Sequence, residues 1–236
     1  MKNIEKIFTE AGGTFLVSSE EFSEKLKNIK AFIFDWDGVF NNGEKNETGS
    51  SNFSEVDSMG VNMLRLSFWL GHKQLPLVAV ISGEHNHALF ALTNREHYDA
   101  AYYKIGHKAE ALEHFCRLHG LKNEEVAFVF DDVLDLSIAA KCGLRVLVNR
   151  KSNPLFKEYI KTNHLADYIT ASFSGEFAVR EYCELLLGIN RKYDDTINAR
   201  ISNAADYRDY LDARNRIVPA FFTKADDVIV ARVPGN

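Results

Sequence analysis

The sequence predicts an α/β fold: a doubly wound parallel sheet with a β-hairpin flap and no large cap domain. Three observations carry this. Ala31-Phe32-Ile33-Phe34 is an unbroken apolar run that stops at Asp35-Trp36-Asp37-Gly38, as a strand buried on both faces does. Further apolar runs at 75–81, 126–130 and 144–148 alternate with segments of helical periodicity, the pattern of a doubly wound sheet. Between Asp37 and Ser82 there is room for a flap and one helix and no more.

Length and composition bound the rest. A chain of 236 residues can build one full core with an appendage. Hydrophobic and charged fractions of 46% and 26% are those of a globular protein. A net charge of −5 without a Lys/Arg block argues against general nucleic-acid binding. No apolar run reaches the ~20 residues that span a bilayer. The mixed charges of Met1-Lys2-Asn3-Ile4-Glu5-Lys6 are not a signal peptide. Cys116, Cys142 and Cys183 lack a CxxC spacing and read as buried reduced thiols. The expected location is the cytoplasm.

Taken in order, residues 1–30 read as one or two short helices. Ser18 or Ser19 caps the one holding Phe22, Leu26 and Ile29. The central strand follows. Residues 41–54 are polar and turn-rich, the expected hairpin flap. Residues 57–70 show a helical face of Val61, Leu64 and Phe68, and 75–81 form the next strand, ending at Ser82. A helix over 86–95, a short strand at 100–103 and a helix opening at Lys108 come next. Then follow strand 126–130, helix 134–141 and strand 144–148. Asn153-Pro154 starts a helix with proline at its first position. An edge strand at 167–170 and a helix at 176–187 complete the expected domain, residues 1–188. Residues 189–236 form a charged extension anchored by Tyr193, Tyr207, Tyr210 and Leu211, with short apolar segments at 218–222 and 228–233. Its expected role is packing on the core or an oligomer contact.

The chemistry concentrates at strand ends. Two carboxylates at one strand terminus repel unless a cation joins them or one keeps a proton. Open α/β sheets keep their ligand crevice at that end. Ile81-Ser82-Gly83 ends a second strand, Lys108 opens a helix, and Asp131-Asp132-Val133-Leu134-Asp135 follows a third strand. Singly, each has an ordinary structural role: Ser82 as a helix cap, Lys108 as a solvated surface lysine, Asp135 as a carboxylate favourable in a helix's first turn. The ordered set carries the reading. The histidine pairs His85/His87 and His114/His119, spaced i,i+2 and i,i+5, do not suit zinc.

With Asp35-Trp36-Asp37, Ser82, Lys108 and Asp131 to Asp135 in this order, the chain resembles the haloacid dehalogenase-like (HAD) phosphatases. Within them it is similar to the octulosonate and nonulosonate phosphate phosphatases, over roughly residues 28–188. Asp57 with Gly60, and Ala178-Val179-Arg180-Glu181, fall where that subfamily has similar residues. The resemblance implies a Mg²⁺-dependent phosphomonoesterase for a small sugar phosphate, possessing a capless fold and assembling as a homotetramer. It implies Asp35 as the nucleophile that forms an aspartyl-phosphate and Asp37 as general acid and base. Ser82, Gly83 and Lys108 would hold the phosphoryl group. Asp35, Asp37 (through its backbone carbonyl) and Asp131 would hold Mg²⁺, with Asp132 and Asp135 as outer groups or partners of Lys108.

Four departures bear on substrate. Glu84 and Val56 stand where the subfamily commonly has Arg, Ser174-Gly175-Glu176-Phe177 replaces Gly-Gly-Arg-Gly, and Phe130 replaces Gly. Arginine is the best side-chain match to a carboxylate, so a neutral sugar phosphate stands beside a keto-sugar acid phosphate as the expected substrate. Glu84 and His85 are the candidate substrate contacts. A silent assembly domain predicts decay of the carboxylates, and Asp35, Asp37 and Asp131 are intact. A phospho-accepting receiver domain predicts the opposite motif order.

Overall fold

The computed structural model describes residues 2–234. Met1, Gly235 and Asn236, at the ends of the two expected segments, lie outside the described residues. Strands β1 (Thr14–Phe15), β2 (Ala31–Asp35), β3 (Leu77–Ile81), β4 (Ala100–Tyr103) and β5 (Val126–Phe130) are followed by β6 (Leu144–Asn149), β7 (Tyr168–Phe173), β8 (Ala220–Ala225) and β9 (Val228–Ala231). They form one open sheet in the order β1-β7-β6-β5-β2-β3-β4-β8-β9. The seven inner strands run parallel, and β1 and β9 pair antiparallel at the two edges.

The helices are α1 (Lys2–Glu10), α2 (Ser19–Lys27), α3 (Glu55–His72), α4 (His87–Glu96), α5 (Lys108–His119) and α6 (Leu136–Ala139). α7 (Pro154–Thr162), α8 (Ala178–Ile189), α9 (Tyr193–Ile201) and α10 (Ala205–Asn215) complete them. Caps set several starts: Ser18, Ser54 and Asn86 side chains each accept backbone N–H bonds from the first turns of α2, α3 and α4.

The apolar runs divide by parity, because side chains alternate across a strand. Phe32, Phe34, Val78, Val80 and Val129 face a core closed by α2, α3 and α8. Ala31, Ile33, Ala79, Ile81 and Phe128 face a second core closed by α5, α6 and α7. Every residue of β2 is buried, which explains why it reads as a continuous apolar run rather than an alternating one.

Asp57 and Gly60 of α3 and Arg180 and Glu181 of α8 serve this packing. The Asp57 carboxylate accepts from the Arg180 N–H at 2.9 Å, at the start of α8. Burial pushes its pKa up to about 6, against the hydrogen bonds from Arg180 and Val179. A Cβ on Gly60 would sit 3.0 Å from Arg180 Cα, so glycine sets how closely α3 and α8 approach. Glu181 binds the Ala171 and Ser172 N–H groups at 2.8 and 2.6 Å, and the Tyr168 hydroxyl at 2.7 Å. It fastens α8 to β7.

Three expectations need correction. Residues 41–54 hold no paired strands and so form no hairpin. Asn41 Oδ1 accepts from Gly38 and Gly43 N–H, and Asn46 Oδ1 from Thr48 and Ser50 N–H. These side chains take backbone donors that a ladder would use, and the segment becomes a looped strap. β7 is not an edge strand, since two-residue β1 pairs along its outer side. The expected helix 134–141 is a 3-10 turn, Val133–Asp135, followed by one turn of α helix.

Beyond α8, the extension builds onto the sheet. β8 pairs with β4 in register Ala100↔Ala220 to Tyr103↔Thr223, covering what would be a bare strand edge. Tyr207 and Tyr210 pack on Leu66 of α3, and the Tyr210 hydroxyl donates to the Asn62 carbonyl at 3.1 Å. Among the described residues no helix is long and apolar enough to cross a membrane. At the opposite flank, buried Asp167 accepts from Lys25 at 2.7 Å and from Arg145 Nη2 at 2.9 Å. Asp167→Ala strands both cations, and we expect it to lower unfolding free energy by about 3 kcal/mol, measured by urea denaturation.

Candidate active site

Strand register assembles the site. Asp35 pairs with Ile81, and Phe34 with Val129. The residues that follow β3 and β5, Ser82 and Asp131, therefore emerge beside Asp35 at the carboxyl edge. α5 starts at Lys108 and delivers its side chain from above. Asp35, Lys108, Asp131 and Asp135 are all buried, the most exposed being Lys108 at 7%.

Asp35, Asp131 and Asp135 each offer a carboxylate oxygen within 4.8 Å of the others. Lys108 Nζ donates to Asp35 Oδ1 and, at 2.6 Å, to Asp135 Oδ1. The electrostatics follow from crowding in a dry place. Burial raises the Asp35 pKa well above the usual carboxylate range, Asp135 adds to it, and Lys108 opposes it. Burial also raises Asp131, to about 7, with Arg150 opposing and Asp135 adding. For Lys108 burial acts downward, but Asp35 and Asp135 outweigh it, and its pKa is raised. Three buried carboxylates against two cations, Lys108 and Arg150, leave a negative charge that a further positive charge would balance. An all-oxygen donor set fits a hard divalent cation such as Mg²⁺.

Asp37 stands apart from this triad. The strap grips its carboxylate: Ser51 Oγ donates to Oδ1 at 2.5 Å, and Lys45 Nζ pairs with the same oxygen at 2.5 Å. Ser82 Oγ reaches Oδ2 at 3.4 Å. Ser51 in turn accepts from Trp36 Nε1 at 3.0 Å and Asn86 Nδ2 at 2.8 Å. With those donors in place, the Ser51 hydroxyl proton can only point at Asp37.

Gly38 is required by space. Its φ is +89°, and a Cβ there would lie 2.1 Å from Asp131 Oδ2 and 2.0 Å from Arg150 Nη2. Gly38→Ala should push Asp131 and Arg150 aside and reduce turnover about 10²-fold, the usual result of ~1 Å misplacement. Steady-state kinetics beside a thermal melt separates this from unfolding.

Other expected residues fall farther out. Asp132 is exposed and its carboxylate caps the 3-10 turn by accepting from Val133 N–H at 2.7 Å, so it does not join the triad. Asp135 does join it. Glu84 is exposed and its N–H donates to Ser82 Oγ. His85 sits among aromatic rings, 4.8 Å from Phe90 and 5.6 Å from Tyr103, and its pKa is lowered by burial, then by His87 and Lys104. Gly83 is an exposed turn residue.

Sequence reasoning missed Arg150, which forms an ion pair with Asp131, and Lys45, Ser51 and Asn86. Arg150 directly follows β6 at the same sheet edge, a position the strand-end rule could have flagged. Lys45 and Ser51 carried no signal within a turn-rich segment. A larger concavity, about 720 Å³, is lined by Ile29, Phe68 and Leu77. It opens where β2 and β3 begin, the wrong edge for an α/β ligand site.

Against known proteins, no family model matches the chain. The 3-deoxy-D-manno-octulosonate 8-phosphate phosphatase of Escherichia coli strain K12 is 29% identical over 191 residues, 75% of this chain and 89% of that protein. A HAD-superfamily (subfamily III A) hydrolase from Legionella pneumophila superposes with a TM-score of 0.64 at 29% identity, covering 78% of this chain and 95% of that one. The octulosonate phosphatase of Moraxella catarrhalis, solved with magnesium, phosphate and KDO, has a TM-score of 0.62 at 25% identity, covering 76% and 98%. Fold, site and relatives together define the class: the chain is a phosphatase, a phosphoric monoester hydrolase, similar to those of HAD type. The particular proteins it resembles are the 3-deoxy-D-manno-octulosonate 8-phosphate phosphatases.

Proposed function

We propose that the chain hydrolyses a small sugar phosphate, a 2-keto-3-deoxy sugar acid phosphate first among them, with Mg²⁺ and through an aspartyl-phosphate on Asp35. The observation that carries this is the buried triad of Asp35, Asp131 and Asp135 with Lys108 bridging two of its members. Relatives of the same class include one solved with magnesium, phosphate and KDO, which supports the choice of metal and substrate.

In this reading the triad and the Asp37 backbone carbonyl would hold Mg²⁺, which when bound would supply positive charge to the phosphoryl group and the carboxylates around it. An Asp35 oxygen attacks phosphorus, and the bond from phosphorus to the sugar oxygen breaks. Asp37 gives that oxygen its proton, so the sugar leaves as an alcohol. Asp37 then takes a proton from water as the water attacks phosphorus, the Asp35–phosphorus bond breaks, and inorganic phosphate forms. Lys108 and the Ser82 hydroxyl, with the Gly83 N–H, hold the transferring oxygens, since positioning and charge neutralisation do most of the work in phosphoryl transfer. Ser51 and Lys45 aim Asp37.

A panel of acidic and neutral sugar phosphates, with Mg²⁺ or EDTA, tests the reading. Release of phosphate that requires Mg²⁺ is the expected result, and absence of release from every substrate would overturn it. A homotetramer belongs to the same reading, and sedimentation equilibrium checks it.

A further inference from the structure

Beside the acid triad, on the β6 side, a cleft of about 250 Å³ opens between the strap and the loops after β6 and β7. Asn42, Arg150, Lys151, Ser152, Ser174 and Glu176 line it. Arg150 belongs to both places, since its Nη2 contacts Asp131 Oδ2 and its side chain walls the cleft. Its Nε is buried and has no hydrogen-bond acceptor. A buried donor left unpaired is costly, and an arginine that spends only one nitrogen on Asp131 keeps capacity for a second anion. Lys151 follows, its ammonium resting 4.4 Å over the Phe173 ring. The one acid on the wall, Glu176, turns its carboxylate toward the Phe173 N–H at 3.4 Å.

We propose that this cleft receives the leaving-group half of the substrate, and that Arg150 with Lys151 binds a carboxylate on it. The chain is then selective for acidic over neutral sugar phosphates. This rests on the phosphatase reading and deepens it. The location is chemically apt: a phosphoryl group on Asp35 has Asp131 beside it, and Arg150 lies one side chain beyond. A substrate with its phosphate at one end and a carboxylate at the other would span that gap, which a planar guanidinium can close with paired bonds. Glu176 disfavours a second negative group and so restricts the cleft to one anion.

The test compares wild type, Arg150→Gln and Lys151→Gln on 3-deoxy-D-manno-octulosonate 8-phosphate and on a neutral hexose 6-phosphate, with equilibrium binding of the free octulosonate plus phosphate measured on the same proteins. Arg150→Gln should lower kcat/KM for the acid by about 10²-fold, chiefly through KM, the usual scale for a truncated buried charge pair. Its loss on the neutral substrate, which reports only the Asp131 contact, should be at least about tenfold smaller. Lys151→Gln, farther from Asp131, should repeat the pattern about tenfold more weakly. Octulosonate binding should weaken in parallel. Equal loss on both substrates would mean that Arg150 only orients Asp131, and would overturn the proposal. So would a wild type that turns over neutral substrates alone, although the phosphatase reading would survive that. A wild type without turnover on any substrate would sink the phosphatase reading, and the binding arm would still decide the cleft. Octulosonate bound by wild type and lost in Arg150→Gln supports it, and equal or absent binding overturns it.

Discussion

Asp35→Asn should lower phosphomonoesterase turnover by about 10⁴-fold or more, as removal of a covalent nucleophile does. The fold should persist. Asp35 is buried and repelled by Asp135 and Asp131, so an isosteric neutral amide relieves a charge conflict while keeping an oxygen for Lys108. The thermal midpoint of Asp35→Asn should therefore match or exceed that of wild type in EDTA. Adding Mg²⁺ should raise the wild-type midpoint more than that of the variant, because ligand binding to the native state stabilises it and the variant has lost one anionic donor. Phosphate release and differential scanning fluorimetry measure the two halves.

Lys108→Met has the second largest expected effect, and it acts on stability as well as on chemistry. The ammonium compensates Asp35 and Asp135 in a buried place. Removing one partner of a buried ionic group costs about 3–5 kcal/mol. Turnover should fall about 10³-fold or more through the loss of a charge on the transferring phosphoryl group. Part of the stability should return in Mg²⁺, whose charge takes over the compensation. Lys108→Arg should recover stability better than activity, since the larger fork cannot occupy both carboxylates and leave the phosphoryl site in place. Urea melts in EDTA and in Mg²⁺ read the first effect, and steady-state kinetics the second.

The fold was legible where burial was two-sided. β2, β4 and β5 show their limits as apolar runs because no face of them meets water. The strap was not legible. Gly43 and Gly49 do adopt positive φ, as a hairpin turn would, but Asn41 and Asn46 spend their side chains on backbone donors, and that competition has no periodic signature. β1 was too short to register. The extension could be seen as amphipathic but not placed, since the β4 edge that receives β8 is defined only by the completed sheet.

At the site, the strand-end residues Asp35, Ser82 and Asp131 were legible because register, once the strands are known, dictates their meeting. Which of Asp132 and Asp135 turns inward was not. A 3-10 turn points Asp135 at Lys108 and leaves Asp132 as a cap, and the choice depends on that local geometry. Arg150 and Lys45 reach the site from segments 115 and 10 residues beyond Asp35 by position. Only the folded arrangement brings them to it.

The most direct test of the central claim is chemical trapping of the phosphoenzyme. Wild type is mixed with a substrate that supports turnover, in Mg²⁺, quenched during the steady state, reduced with borohydride and digested for mass spectrometry. An acyl phosphate on an aspartate is reduced to homoserine. The account predicts homoserine at Asp35, dependent on substrate and Mg²⁺, and absent in EDTA. Homoserine at another carboxylate, or undiminished phosphate release by Asp35→Asn, would contradict it.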